Sequence, residues 1–132
     1  MLKAHRVHAT LHATDMQRAK HFYADKLGLE PLQEFPFAIL YECGEGTRFS
    51  MSPSSGKVPG TFTQMSFIIE DIAQEVEELK SRGVLFEEYN SADLKTVNSI
   101  ADYGFLKGAW FKDSEGNLIG IVELAEEFQI QK

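Results

Sequence analysis

The feature that most constrains the fold of this chain is an internal repeat. Residues 7–15 and 63–71 both alternate apolar and polar side chains, both end at an aspartate, and begin 56 residues apart. Alternation with a period of two is typical of a strand with one buried face, and an aspartate at its end can cap a following helix. A repeat of this length is too long for a solenoid, so the sequence predicts two strand-helix copies paired in one domain.

Each copy continues into further strands, which we group as modules one and two. In module one, about residues 4–52, strands are predicted at 4–13, 29–34, 37–43 and 48–52, with a helix from Asp15 to a left-handed cap at Gly28. In module two, about residues 62–124, strands are predicted at 62–70, 84–89, 109–112 and 117–124, with a helix from Asp71 to Gly83. Residues 53–61 are rich in proline and glycine and predict a linker. The predicted fold is α+β, with two βαβββ modules in a single domain over residues 1–132.

Module two carries an insertion that module one lacks. Residues 90–108 mix apolar and polar side chains, unlike a plain linker. Inserted loops of this length often form lids or binding loops. The alternative is a loop that packs on the edge of the sheet, and the sequence leaves both open.

Composition and charge argue against several classes of partner. The 132 residues carry a formal net charge of −7 and one cysteine, Cys43. Nucleic acids and anionic membranes bind basic surfaces, so neither is an expected partner. The sequence shows no apolar run long enough to span a membrane and no secretory pattern, and a lone cysteine suits a reducing compartment. We therefore expect a cytoplasmic protein in which Cys43 is buried and inert.

The doubled βαβββ order and the segment Trp-Phe-Lys-Asp-Ser-Glu-Gly-Asn-Leu-Ile-Gly at residues 110–120 resemble the vicinal oxygen chelate superfamily. That superfamily includes glyoxalase I, bleomycin-resistance proteins and extradiol dioxygenases. The resemblance implies a curved, cup-like mixed sheet with helices on its outer face. It also implies a divalent metal held in the cup by one residue from the first strand and one from the last strand of each module. The matching positions here are His8, Ser50, Gln64 and Gly120.

These four positions make a poor ligand set for a divalent metal. An imidazole, a hydroxyl, an amide and a residue without a side chain fall short of the three good donors that a catalytic metal needs. We therefore predict no metal and no other cofactor, with a divalent metal bound through Gln64 or His12 as the alternative. It follows that glyoxalase I and extradiol dioxygenase activities are not expected.

Strand alternation predicts which side chains line the cup, because alternate residues share a face. The predicted ligand-binding residues are Arg6, His8, Thr10, His12, Ser50, Ser52, Gln64, Ser66 and Trp110. Trp110 or Phe111 must face the cup, since neighbours on a strand point opposite ways. A concave face with several convergent polar groups is the usual small-ligand site. His5 and His21 are expected to be surface or packing residues.

Three functions are compatible with these residues. The first is a metal-free small-molecule-binding protein like the bleomycin-resistance proteins, with an acidic surface that would attract cationic ligands. The second is a metal-dependent lyase, isomerase or dioxygenase, and the third is a metal-free enzyme with His8, the best catalytic candidate, as general base. We favour the first. Unpaired sheet edges and the apolar residues of the tail at 126–130 also predict a homodimer.

Overall fold

A computed structural model describes residues 1–56 and 58–126. These residues form two open four-stranded sheets, each with one helix, so the predicted α+β class is confirmed. Module one contains the elements β1 (Ala9–Ala13), α1 (Met16–Leu27), β2 (Gln33–Phe35), β3 (Ala38–Glu42) and β4 (Arg48–Pro53). Module two contains the elements β5 (Thr63–Ile68), α2 (Ile72–Ser81), β6 (Ala101–Asp102), β7 (Leu106–Lys112) and β8 (Leu118–Leu124).

The two sheets share one topology. The strand orders are β1-β4-β3-β2 and β5-β8-β7-β6. In each sheet the first strand of the module pairs in parallel with the last, and the other pairings are antiparallel. β1 and β5 lie near each other, so the first strands of the two modules meet. The repeat in the sequence is therefore a repeat in the structure.

Both helices begin after the predicted aspartates and α1 ends at the predicted Gly28, whereas α2 ends at Ser81 with Arg82 as its C-cap, just before the predicted Gly83. The Asp15 carboxylate accepts a hydrogen bond from the backbone N–H of Arg18 at 3.0 Å, and the Asp71 carboxylate accepts one from the N–H of Gln74 at 3.1 Å. Each aspartate thus satisfies a backbone donor at the start of its helix. Gly28 closes α1 in the left-handed conformation with φ of 71°, which costs a residue without Cβ little.

The core lies between the helices and one face of each sheet. In β1 and β4 alternate residues are buried on that face, among them Leu11, Phe49 and Met51. An aromatic contact links the modules inside the core, since the rings of Phe49 and Phe67 meet edge to face at 6.2 Å. The even-numbered residues of β1 and β4 lie on the opposite face of the sheet, and they are polar.

A buried polar cluster also joins the two modules. The turn after β7 reaches α1, where the Tyr23 hydroxyl donates to Asp113 Oδ2 at 2.7 Å. Asn117 Nδ2 donates to the same carboxylate at 2.8 Å and to the His12 carbonyl at 2.9 Å. Burial raises the pKa of Asp113, although these hydrogen bonds oppose the rise, and burial together with Asp113 raises the pKa of Tyr23 well above its usual value.

Glu115, in the same turn, is held by Arg18 on α1. Arg18 Nε donates to Oε2 of Glu115 at 2.7 Å, and an Arg18 terminal nitrogen donates to Oε1 at 3.0 Å. The backbone N–H of Asp15 adds a bond at 2.9 Å. Burial disfavours the ionised carboxylate of Glu115, but the bonds from Arg18, Asp15 and Ser114 outweigh it and lower the pKa to about 2.

The predicted first strand is too long at its start. β1 begins only at Ala9, so Arg6 and His8 precede the strand, and the supposedly core-facing Val7 is 92% exposed. The reason is the partner strand, because the pairing with β4 begins at Ala9 and Phe49. Within residues 1–56 and 58–126, the segment before Ala9 has no partner strand that would hold it extended.

The prediction of a strand at 84–89 is wrong. Towards β7, residues 84–89 make one isolated bridge, Phe86 to Phe111, and one backbone bond from the Glu87 N–H to the Trp110 carbonyl at 2.7 Å. The insertion occupies the remaining edge, since β6 pairs with β7 through Ala101 and Gly108. Part of the 90–108 insertion therefore packs on the edge of the sheet, and it supplies the strand that the sequence assigned to 84–89.

Two further expectations concern the C-terminal tail and membrane-spanning segments. The apolar tail residues Phe128 and Ile130 lie outside the described residues, so the tail's part in a homodimer stays a prediction. None of the helices in residues 1–56 and 58–126 is long and apolar enough to cross a membrane.

Candidate functional site

Strands β1 and β4 place four of the predicted residues side by side. Thr10 is paired with Ser50 and His12 with Ser52 in the parallel register. All four lie on the face opposite the core, because they alternate with buried residues such as Leu11 and Met51. The Thr10 and Ser50 hydroxyls are 3.3 Å apart, within hydrogen-bonding distance. Module one thus presents a row of small hydroxyls and one imidazole.

In module two, three predicted residues form a row across β5, β8 and β7. Ser66 is paired with Gly120, and Gly120 is paired with Trp110. Trp110 alternates with buried Ala109 and Phe111, so the tryptophan and not the phenylalanine lies on the face opposite the core. The row is crowded at its centre. A Cβ on Gly120 would stand only 2.7 Å from Ser66 Oγ and 3.4 Å from Trp110 Nε1.

The Trp110 ring rests on the sheet over two glycines. A Cβ on Gly108 would meet the six-membered ring at 3.0 Å, and one on Gly120 would meet the indole nitrogen at 3.4 Å. The edge of Tyr89 contacts Trp110 with ring centroids 5.7 Å apart at 78°. Sequence reasoning missed Gly108 and Tyr89. The available signal was a glycine two residues before an aromatic residue on a strand, which often marks a close approach.

Gln64 breaks the alternation on which its equivalence to His8 depends. Thr63 is paired with Leu118 and Met65 with Ile119, which leaves Gln64 as the extra residue of a β-bulge. Its Oε1 is buried and has no hydrogen-bond donor among the described residues. A buried acceptor without a hydrogen-bond partner costs free energy.

Arg6 and His8 do not join the strand rows but line a pocket beside them. The pocket has a volume of about 450 Å³ and lies between residues 6–8, Leu40 of β3 and the turn at residues 45–48. Leu40 is paired with Ser50, so the pocket adjoins the polar row of module one. A larger cavity of about 630 Å³ lies elsewhere, between α2 and the insertion, and contains none of the predicted residues.

The residues at the family's metal positions do not fit a metal ion. His8 is exposed and precedes β1, Gln64 sits in a bulge, and Gly120 has neither a side chain nor room for one. Within residues 1–56 and 58–126, no three side chains of His, Cys, Asp or Glu come close enough to hold an ion. A hydroxyl and an amide alone are weak ligands for a catalytic divalent metal.

The remaining candidates are two histidines and the cysteine. His5 follows the short 3₁₀ helix at the N-terminus, and His21 is exposed on α1. Cys43 is half-buried and not buried as predicted; its partial burial, with a smaller contribution from the nearby Glu42 carboxylate, raises the pKa of its thiol. A thiol with a raised pKa is a weak nucleophile, which agrees with an inert cysteine.

Comparison with known proteins gives a family match and several structural neighbours. The family model described as "Glyoxalase/Bleomycin resistance protein/Dioxygenase superfamily" matches residues 5–121. A glyoxalase/bleomycin resistance protein/dioxygenase from Alicyclobacillus acidocaldarius has a TM-score of 0.71 at 17% identity over 96% of each chain. The fosfomycin resistance protein FosX from Listeria monocytogenes has a TM-score of 0.71 at 14% identity over 98% of each chain. UcmS2 has a TM-score of 0.69 at 18% identity, over 89% of this chain and 98% of its own. At these identities the likeness extends to the fold alone, and curated proteins gave no significant match.

Proposed function

We propose that this chain, which belongs to the Glyoxalase/Bleomycin resistance protein/Dioxygenase superfamily, is a small-molecule-binding protein that works without a metal ion. The ligand would lie on the face opposite the core, between the hydroxyl row of module one and the Trp110 ring of module two. A concave surface that combines an aromatic ring with a few polar groups is the usual setting for a small organic ligand.

The observation that carries this proposal is the packing around Gly120. Ser66 Oγ lies 2.7 Å from the place where a Cβ would stand, so a metal-binding side chain at this position would have to displace Ser66. The same row presents the Trp110 ring, held flat by Gly108 and Gly120. A position that lacks a metal-binding side chain beside a partly exposed aromatic ring supports stacking of an organic molecule, worth about 0.5–1.5 kcal/mol beyond the buried area.

The enzymatic alternatives gain no support from the geometry. His8, the best candidate for a general base, is exposed and lies before β1, where no paired strand fixes its orientation. A general base must be held within hydrogen-bonding reach of the proton that it removes. The proposal is therefore binding rather than catalysis.

Elemental analysis tests the metal-free part of the proposal. Protein purified without a histidine tag should contain far less than one divalent metal ion per chain. Added zinc, nickel, manganese or iron(II) should not produce glyoxalase activity. One tightly bound ion per chain, lost in a His8→Ala variant, would refute the proposal.

Nuclear magnetic resonance tests the binding part, because Trp110 is the only tryptophan and gives a single indole N–H signal. In protein treated with a chelator, aromatic fragments should shift this signal. The shift should be reduced in Gly120→Ala and retained in Gly44→Ala, since a Cβ at Gly44 meets nothing within 4 Å. If fragments bind without shifting the indole signal, the ligand does not bind next to Trp110 and this part of the proposal is wrong.

A further inference from the structure

The pocket at residues 6–8 has a local charge unlike that of the whole chain. Two guanidinium groups, from Arg6 and Arg48, line it together with one carboxylate, from Glu45. Arg48 is ion-paired with Glu42 beside the pocket, so Arg6 is the one guanidinium of the lining that forms no ion pair among residues 1–56 and 58–126, whereas the chain carries −7. Because the overall field repels anions, an anionic ligand would need a local cluster of this kind to be held.

The two arginines differ in how many of their donors are already engaged. Arg48 Nε donates to Oε1 of Glu42 at 3.1 Å, and a terminal nitrogen of Arg48 lies 3.1 Å from the same oxygen in an ion pair. Arg6 is exposed, and none of the ion pairs formed by residues 1–56 and 58–126 includes it. A guanidinium offers five N–H donors in a planar fork that matches the two oxygens of a carboxylate. Arg6 is therefore the group best able to bind one.

The position of the pocket connects it to the proposed ligand face. Leu40, one of its walls, is paired with Ser50, and Ser50 contacts Thr10 in the hydroxyl row. Leu40 gives the pocket an apolar side next to its charged end. A ligand with an apolar body and one charged group would meet both.

We infer that this pocket holds the carboxylate of an organic monoanion whose remaining part lies against the hydroxyl row. The inference rests on the proposed function and names the ligand class for that face. Among the described residues Arg6 supplies the one guanidinium of this lining without an ion pair, which matches a single negative charge, and a bidentate bond to Arg6 would fix the orientation of the carboxylate. A dianion such as a phosphate monoester would bring a second negative charge, and the other guanidinium of the lining, Arg48, is already paired with Glu42.

Three compounds with the same ring test this assignment: 2-naphthoate, 2-naphthyl phosphate and the neutral 2-naphthamide. Calorimetry should show that 2-naphthoate binds most tightly of the three. An Arg6→Gln variant should weaken 2-naphthoate by roughly tenfold and leave 2-naphthamide unchanged. Arg82→Gln is the matched control, because Arg82 donates to the Asp25 carbonyl at the ends of the two helices and lies outside the pocket. Arg82→Gln should change neither the affinity for 2-naphthoate nor the affinity for 2-naphthamide.

The outcomes separate this inference from the proposed function. If all three compounds shift the Trp110 indole signal but Arg6→Gln and Arg82→Gln behave alike, the ligand face stands and the carboxylate assignment falls. Tighter binding of 2-naphthyl phosphate, lost in Arg6→Gln, would replace the carboxylate by a phosphate. If 2-naphthoate binds in an Arg6-dependent way while Trp110 is unaffected, the anion pocket stands without the stacking face. If none of the three compounds binds, both the anion pocket and the proposed ligand face are refuted.

Discussion

Replacing Glu115 by glutamine tests how the two modules are held together. The Glu115 carboxylate is fully buried, with 0% of its side chain exposed. It accepts hydrogen bonds from Arg18, Asp15 and Thr14 in module one and from Ser114 in its own turn. Glutamine has nearly the same shape, but its NH₂ group cannot accept a hydrogen bond. The variant therefore leaves at least one of these donors without a partner and leaves Arg18 without its charge partner.

The magnitude follows from the lowered pKa of Glu115. A shift from the ordinary 4.5 to about 2 is about 3 kcal/mol at about 1.36 kcal/mol per unit. The Arg18 side chain is 53% exposed, so solvent weakens its ion pair with Glu115. We therefore expect Glu115→Gln to lower the free energy of unfolding by about 2 kcal/mol at pH 7. Since the folded pKa is lowered, the stabilisation is complete above the unfolded value and disappears as pH falls through 4.5 towards 2.

The assay is urea unfolding of the wild type and of Glu115→Gln from pH 7 to pH 2. The free energies of unfolding should differ by about 2 kcal/mol at pH 7, and the difference should shrink steadily below about pH 4.5. Glu78→Gln, at an exposed position on α2, should stay within about 0.5 kcal/mol of the wild type. A difference that is absent at pH 7, or that stays constant down to pH 2, would refute the reasoning.

Three further predictions follow from the described contacts. Gly120→Ala should lower the free energy of unfolding by about 1–3 kcal/mol through its clash with Ser66 Oγ, whereas Gly44→Ala should change it by less than about 0.5 kcal/mol; equal denaturation curves would contradict this. Tyr23→Phe removes the bond to the buried Asp113 carboxylate and should cost about 1–3 kcal/mol at pH 7, less as falling pH protonates Asp113; unfolding curves with no loss at pH 7 would argue against the cluster. Sedimentation at roughly tens of micromolar should show a homodimer, and a clean monomer would rule it out.

The parts of the fold that depend on local chemistry were predictable from the sequence. Asp15, Asp71 and Gly28 cap helices through contacts with residues a few positions away, so their type and spacing suffice. The alternation in β1 also gave the correct face for Thr10 and His12, because side chains on a strand alternate wherever the strand is paired.

Other features depend on a partner distant in the chain and could not be predicted. The end of pairing before Ala9 removed Arg6 and His8 from the strand, and the bulge at Gln64 exists only relative to β8. The Trp110 ring lies close to the sheet because Gly120, on the neighbouring strand, has no side chain. The Asp113 turn was recognised by resemblance, but its partners Tyr23 and His12 are about 100 residues away, beyond any local pattern.

The polar cluster between the modules also sets an order of events during synthesis. Arg18 and the N–H of Asp15 are made early, but the carboxylate that they bind belongs to a residue 97 and 100 positions later. As the nascent chain emerges, module one can form its helix and strands, but the start of α1 keeps unsatisfied donors until the last hairpin has left the ribosome. Contacts between such distant residues close late, because the intervening chain must first be ordered. We therefore expect the β7–β8 hairpin to dock against α1 late in folding, and a chain truncated before that hairpin would leave Arg18 and the N–H of Asp15 without the Glu115 carboxylate.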